Sequence, residues 1–270
     1  MNQLYRYLFY LFAFSIVEYI ALLYLSDPTS FKLLATAYMW TPAISAILAM
    51  HGVKWIRPLL LRKNVRYLAT SLAISIALPL FHLALTYLVF SAYWIEPTTA
   101  LFILKGKSVS LPQLLLLGII AGMSANAIVA LGEEIGWRGF MYRELKDIGR
   151  TKAAIIIGVT WALWHWPLIA YGYNFPDSKL LGLLPFAVTL IPLTYLMLLI
   201  TELGGIVPNA VLHGVINAIL PLEYVALTSV PDVLRPPAGL GGAIPWFVAI
   251  VLVKAFSRLS SRASPLQRVQ

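Results

Sequence analysis

Two adjacent carboxylates and an arginine end an apolar run in the stretch Gly132-Glu133-Glu134-Ile135-Gly136-Trp137-Arg138-Gly139-Phe140. On a helix, Glu134 and Arg138 are four residues apart, so they share a face and can form an ion pair. Glu133 points about 140° away from Arg138 on the same helix. The spacing predicts that Glu134 pairs with Arg138, whereas Glu133 can serve as a general base or acid. The alternative is an ordinary ion pair at a solvated helix end.

A second polar residue interrupts the aromatic run Trp161-Ala162-Leu163-Trp164-His165-Trp166-Pro167. His165 lies in an apolar span, and Trp161 precedes it by one helical turn on the same face. Histidine is the usual general acid or base of an enzyme. The alternative is a core histidine that hydrogen-bonds to its neighbours.

The third polar group is His213 with Asn217, which are four residues apart and therefore share one helix face. Both side chains can donate hydrogen bonds. Gly214 allows another helix or a substrate backbone to approach closely. The alternative is that these side chains join two helices. One shared polar cavity would accommodate all three groups together, whereas separate explanations need a separate partner for each.

The composition indicates what must position these residues. The chain has 270 residues, of which 60% are hydrophobic and 11% charged, whereas a soluble domain has about a quarter charged residues. Its mean hydropathy is +0.82. We predict one integral membrane domain over residues 1–270, an all-α polytopic bundle of about eight transmembrane helices enclosing a polar cavity. The predicted spans are 4–25, 32–52, 67–94, 111–131, 153–171, 181–203, 205–224 and 241–257.

The basic residues predict how this bundle is oriented. With eight spans and a cytoplasmic N-terminus, 15 of the 20 Lys and Arg residues fall in cytoplasmic segments. The five exceptions are Lys32, Lys105, Lys107, Lys179 and Arg235. We therefore expect a multi-pass protein of the cell membrane with both termini cytoplasmic. The lipid bilayer explains the net charge of +9 without a nucleic-acid partner. The chain has no cysteine, which excludes a thiolate nucleophile and thiolate metal ligands.

The three polar groups together resemble the CAAX prenyl endopeptidase and bacteriocin-processing family of intramembrane glutamic endopeptidases. That family's motifs are Glu-Glu-x-x-x-Arg, Phe-x-x-x-His and His-x-x-x-Asn or -Asp, in this order. Glu133, Glu134 and Arg138 match the first motif, His165 the second, and His213 with Asn217 the third. Trp161 stands where the second motif has Phe. The resemblance covers about residues 111–225, which we expect to be the catalytic core, and the segment 38–45.

The resemblance implies that Glu133 and His165 activate a water molecule, while His213 and Asn217 form the oxyanion hole. Glu134, Arg138 and Trp137 would support the site, and neither a metal nor another cofactor is expected. The implied substrate is a peptide or protein, in one branch a prenylated CAAX C-terminal tail.

Other functions use the same polar residues. A zinc protease could bind its metal through His165, His213 and Glu133, although no His-Glu-x-x-His motif is present. A serine protease would combine Ser124 with His213. A non-enzymatic immunity or scaffold protein needs no chemistry at these positions. A transporter could use three further ionisable residues at membrane depth, which are Glu18, His82 and Glu202.

Overall fold

The computed structural model describes residues 2–25, 27–60, 64–97 and 109–262, and all regular structure in these ranges is helical. The α-helices are α1 (Gln3–Leu23), α2 (Pro28–Tyr38), α3 (Thr41–Met50), α4 (Arg57–Leu60), α5 (Val65–Phe90), α6 (Leu111–Ala121), α7 (Ala127–Glu134), α8 (Tyr142–Leu145), α9 (Arg150–Trp164), α10 (Trp166–Ala170), α11 (Leu183–Gly204), α12 (Ile206–Ile219), α13 (Pro221–Ala226) and α14 (Leu240–Arg262). Two π-helical turns, Gly122–Asn126 and Ile135–Met141, join α6 to α7 and α7 to α8. The predicted all-α membrane bundle is confirmed.

The count of eight spans is not confirmed, although a helix lies at each predicted position. Within the described ranges, five helices are long and apolar enough to cross a membrane, and a sixth span results if α6 and α7–α8 act as one bent span. The other two positions hold the 15-residue helix α9 and the apolar helix Leu240–Ala255. Fifteen residues rise about 22 Å, which is less than the roughly 30 Å of bilayer hydrocarbon. Of the residues used to orient the bundle, Arg62, Lys63, Lys105, Lys107 and Arg268 lie outside the described residues.

The predicted span 153–171 is broken because helix α9 ends at Trp164. Pro167 has no N–H to donate to the carbonyl of Leu163, so the α-helical ladder cannot continue through it. The His165 N–H turns back to the carbonyl of Ala162 at 3.1 Å. His165 therefore lies at the C-terminal end of a helix and not in the middle of a continuous span.

At the bend between α6 and α7, the chain packs closely against α12. The helix pair bends by 49° at this break. A Cβ atom on Gly122 would lie 2.6 Å from the Cα of Val215, and one on Gly214 would lie 2.2 Å from the Gly122 carbonyl oxygen. Only glycine allows two backbones to approach this closely. The approach expected at Gly214 is therefore made by a helix of the chain itself.

Aromatic and apolar side chains fill the centre of the bundle and also cover its outside. The largest fully buried side chains include Trp137, Trp164 and Trp246. On the outer surface, Ile128 and Val251 are 65% and 64% exposed. Large apolar side chains exposed in such numbers are unfavourable in water and suit lipid contact.

Candidate active site

The bundle contains a half-open cavity of about 740 Å³, lined by His165, His213 and Asn217 among others. Volumes of this size are typical of sites for small ligands or short peptide segments. Glu133 does not line the cavity. It is 2% exposed and contacts two lining residues, Trp161 and His213. The four residues predicted to be catalytic therefore lie in or directly beside one cavity wall.

The ion pair predicted between Glu134 and Arg138 is present. Arg138 Nη1 donates to Glu134 Oε1 at 3.1 Å, and both side chains are buried. Arg138 Nη2 donates to the hydroxyl of Thr194 on α11 at 3.3 Å. The guanidinium group also lies over the indole of Trp161, 4.3 Å from the ring centroid, which is a cation–π contact. Arg138 thus links three helical segments around the site.

Glu133 uses its two oxygens differently. Oε2 accepts hydrogen bonds from the indole N–H groups of Trp161 at 2.6 Å and Trp137 at 3.3 Å. Oε1 lies 3.8 Å from His213 Nε2. The carboxylate is therefore held by one oxygen and can exchange a proton through the other.

His213 lies between the two adjacent glutamates, an arrangement that helical spacing did not predict. Its Nδ1 is 2.9 Å from Glu134 Oε1, while its Nε2 faces Glu133 Oε1. A flat imidazole ring with a nitrogen on each side reaches both carboxylates, although consecutive residues on a helix diverge by about 100°. Because carboxylate oxygens only accept, this environment favours N–H donors on both ring nitrogens.

His165 is oriented by the backbone. Its Nδ1 lies 2.8 Å from the carbonyl oxygen of Trp161. A carbonyl can only accept, so Nδ1 carries the proton and the lone pair of the neutral ring is on Nε2. In the described structure His165 does not hydrogen-bond Glu133. The two share Trp161, whose indole donates to Glu133 and whose carbonyl accepts from His165.

Asn217 lies one turn after His213 on α12, where it is exposed to the cavity that it lines. Asn126 lines the same cavity and donates to the carbonyl of Gly214 at 3.5 Å. His213 and Asn217 therefore reach one wall from consecutive turns, as their spacing predicted.

Sequence reasoning missed Thr194 and assigned no role to Tyr38. The Tyr38 hydroxyl donates to the Trp164 carbonyl at 2.7 Å, and its ring stacks on the Trp164 indole with centroids 4.3 Å apart. It thereby holds the end of α9 beside His165. The usable signal was a polar group within an apolar run, because such a group needs a buried partner.

The other ionisable residues at membrane depth do not line the cavity. His82 pairs with Glu223, and Glu18 is buried, with no hydrogen-bond partner for its Oε1 among the described residues. Glu202 accepts hydrogen bonds from Arg150 and Tyr142. The hydrogen bond that Arg150 donates to Glu202 raises the pKa of Arg150 above its ordinary value. In the part of the chain that the structure describes, these residues therefore belong to separate groups.

Two loops, residues 171–182 and 227–239, contribute Tyr173 and Pro237 to the cavity lining. Asp232 joins them, because its Oδ2 accepts the backbone N–H groups of Asp177 and Ser178 at 2.9 and 3.0 Å and its Oδ1 accepts the Ser178 hydroxyl at 2.6 Å. Burial raises the pKa of Asp232, but these hydrogen bonds together lower it by more than burial raises it. The pKa of Asp232 therefore lies below its usual 3.8. We call this junction the Asp232 latch.

The part of the chain that the structure describes does not bring together the side chains that the metal and serine alternatives need. Over the described ranges, no three His, Asp or Glu side chains are placed to hold a metal ion. Ser124 is exposed and donates to the carbonyl of Ile120 at 2.6 Å. His213 is engaged with Glu134 instead. The structure does not bring Ser124 and His213 together.

Comparisons with known proteins match the region that contains these residues. Residues 107–219 match the family described as Rce1-like, type II CAAX prenyl endopeptidases. The chain is 30% identical to CAAX prenyl protease 2 of Methanococcus maripaludis over 108 aligned residues. The aligned region is 37% of this chain and 39% of that protein. The match thus spans about two fifths of the relative's length. The predicted resemblance to this family is confirmed, because the match over residues 107–219 contains all three motifs.

Proposed function

We propose that this chain is an intramembrane endopeptidase in which Glu133 and His165 activate a water molecule and His213 and Asn217 bind the oxyanion. The observation that carries the proposal is the convergence of Glu133, His165 and His213 on Trp161 at the wall of one cavity. Membrane proteins rarely bury ionisable side chains without a functional reason.

The proposed reaction is the hydrolysis of an amide bond by water. The water oxygen attacks the peptide carbonyl carbon, and its proton passes to Glu133 Oε1, the oxygen that no indole holds. His165 accepts a hydrogen bond from the same water through Nε2, which orients the water and helps to remove its proton. His213 and Asn217 donate hydrogen bonds to the carbonyl oxygen as it becomes an oxyanion, an interaction worth about 3–4 kcal/mol in acyl transfer. The C–N bond then breaks, and the proton moves to the leaving amine.

The proposed substrate is a peptide or protein segment in extended form, with a prenylated CAAX tail as the first substrate to test. The lining mixes the polar side chains of Asn126 and Asn217 with apolar ones such as Leu193 and Ile216. Amide side chains suit a peptide backbone, whereas apolar walls suit a lipid chain. The name of the Methanococcus relative supports this substrate.

We further propose that the protein lies in the cell membrane with both termini cytoplasmic, on the basis of its basic residues. Single cysteines can report this topology, because the chain has none of its own. Cysteines placed near Lys105 and near Arg62 should label from opposite sides. Labelling from the same side would contradict the arrangement.

The test of function is cleavage of a synthetic peptide by the purified protein in detergent. Prenylated and unprenylated tails of one sequence are compared, and mass spectrometry locates the broken bond. We expect internal cleavage that survives thorough chelation. Activity that is lost with chelator and restored by zinc would replace the glutamate mechanism with a metal-assisted one. No cleavage of any tail would favour a scaffold or immunity protein.

A further inference from the structure

Trp161 contacts four ionisable residues of the proposed site. Its indole N–H donates to Glu133, and its carbonyl accepts from the His165 ring. Its ring lies under the Arg138 guanidinium group and 5.3 Å from the His213 ring, between centroids. It is 3% exposed and lines the cavity. One residue is therefore in a position to influence both proton-transferring groups, Glu133 through its side chain and His165 through its backbone carbonyl.

The family's second motif has phenylalanine at the position of Trp161. A phenylalanine side chain has no N–H group and could not make this hydrogen bond to Glu133. At 2.6 Å, the bond from Trp161 is shorter than that from Trp137 at 3.3 Å. Hydrogen bonds from N–H groups to a carboxylate stabilise its ionised form. Both indoles donate to the same oxygen, which fixes the rotation of the carboxylate and leaves Oε1 for the proton.

We propose that Trp161 is a positioning residue: its N–H favours the ionised form of Glu133 and fixes the rotation of the carboxylate so that Oε1 accepts the proton of the attacking water. The expected effect on the cleavage rate rests on the proposed function, because it requires that the chain cleaves peptides. The hydrogen bond itself is independent of whether the chain cleaves peptides.

Replacement of Trp161 by Phe isolates the contribution of the N–H group. A phenyl ring retains an aromatic face for Arg138 and an edge for His213. The backbone carbonyl that orients His165 is unchanged. The matched control is Trp164→Phe, since Trp164 lies in the same helix, is also buried, and donates its N–H to Thr41 and not to Glu133.

The first measurement is the pH dependence of peptide cleavage by the wild type, Trp161→Phe and Trp164→Phe. We expect Trp161→Phe to lower kcat about tenfold or more with little change in KM, because a hydrogen bond to a charged group is lost. We also expect the acidic limb of its pH–rate profile to move up by about one pH unit. The acidic limb of Trp164→Phe should stay at the wild-type position. An unmoved limb in Trp161→Phe would overturn the proposal.

The second measurement needs no activity and so separates this inference from the proposed function. Melting temperatures in detergent are compared for Glu133→Gln, Trp161→Phe and the double variant. If the two side chains interact, the double variant should lose less than the sum of the single losses. The control cycle with Trp164→Phe should be additive. Additivity in the Glu133–Trp161 cycle would refute the inference, even in a protein that cleaves peptides.

Discussion

Two buried histidines pair with glutamates in this bundle, and their second ring nitrogens have different neighbours. His82 Nδ1 lies 2.8 Å from Glu223, and its Nε2 lies 2.9 Å from the carbonyl oxygen of Gly242, to which it must donate. Both nitrogens are used to join α5, α13 and α14. His213 instead has a carboxylate on either side and lines the cavity.

The comparison shows that a buried histidine–glutamate pair is not by itself evidence of a catalytic site. Both pairs satisfy the rule that a buried ionisable group needs a partner. The His213 group differs because a cavity adjoins it and because its ring lies between two carboxylates, those of Glu133 and Glu134. We therefore expect mutations at His82 to change stability and mutations around His213 to change chemistry.

The largest expected effect distinguishes the two adjacent glutamates. Glu133→Gln is nearly isosteric and should fold, but it removes the proposed base, so turnover should fall at least about a hundredfold. Glu134→Gln leaves the buried Arg138 without its charged partner and should lower yield or melting temperature first. Cleavage rate and melting temperature are measured on the same detergent samples.

A folded but inactive Glu134→Gln, together with a fully active Glu133→Gln, would show that the roles of the two carboxylates are reversed. His165→Ala provides a second comparison, because it should resemble Glu133→Gln. Loss of stability without loss of chemistry in His165→Ala would remove His165 from the mechanism.

The next effect is on stability at the other histidine. His82→Ala leaves Glu223 buried without its partner, which should cost about 3 kcal/mol or more of unfolding free energy. Activity per folded molecule should stay near that of the wild type. Thermal denaturation and cleavage assays on the folded fraction test this, with His82→Gln as a milder variant that keeps a donor. A folded His82→Gln protein that cannot cleave would break the distinction between the two histidines.

A smaller loss is expected at Asn217, next to His213. Asn217→Ala removes one oxyanion donor and should lower kcat roughly a hundredfold, while KM changes little, because such a donor acts mainly in the transition state. Its melting temperature should not change, since the side chain is exposed to the cavity. A rise in KM at unchanged kcat would instead assign Asn217 to substrate binding.

The smallest effect concerns the Asp232 latch, which joins two loops that line the cavity. Because hydrogen bonds hold the pKa of Asp232 below 3.8, its charge stabilises the folded state above that pH, and this stabilisation is lost as pH falls through the lowered pKa. Asp232→Asn should therefore lower the melting temperature at pH 7, by an amount corresponding to about 1–3 kcal/mol. The difference from the wild type should shrink below about pH 3.8. An equal difference at pH 7 and pH 3 would show that the charge of Asp232 has no role.

Sequence patterns predicted the local features of the site well. The Glu134–Arg138 pair follows from helical spacing, and the buried polar residues were recognisable because apolar spans seldom carry them. The tertiary contacts were not predictable, since His213 reaches Glu134 from 79 residues further along the chain. The break after Trp164 was missed because hydropathy continues through Pro167, although the proline itself was a signal. The π-helical turns depend on packing between helices, which a single sequence does not specify.

The distance along the chain between these partners sets an order of events during synthesis. Arg138 follows Glu134 by one turn, so this pair can enter the membrane already neutralised. Glu133 finds one hydrogen-bond donor, Trp137, one turn further along its own helix. Its second donor, Trp161, is synthesised 28 residues after Glu133. His213 is synthesised 79 residues after Glu134. At about 5–20 residues per second, the last interval is roughly 4–16 s. During this interval the carboxylate of Glu133 lacks the contacts with Trp161 and His213 that it has in the folded bundle.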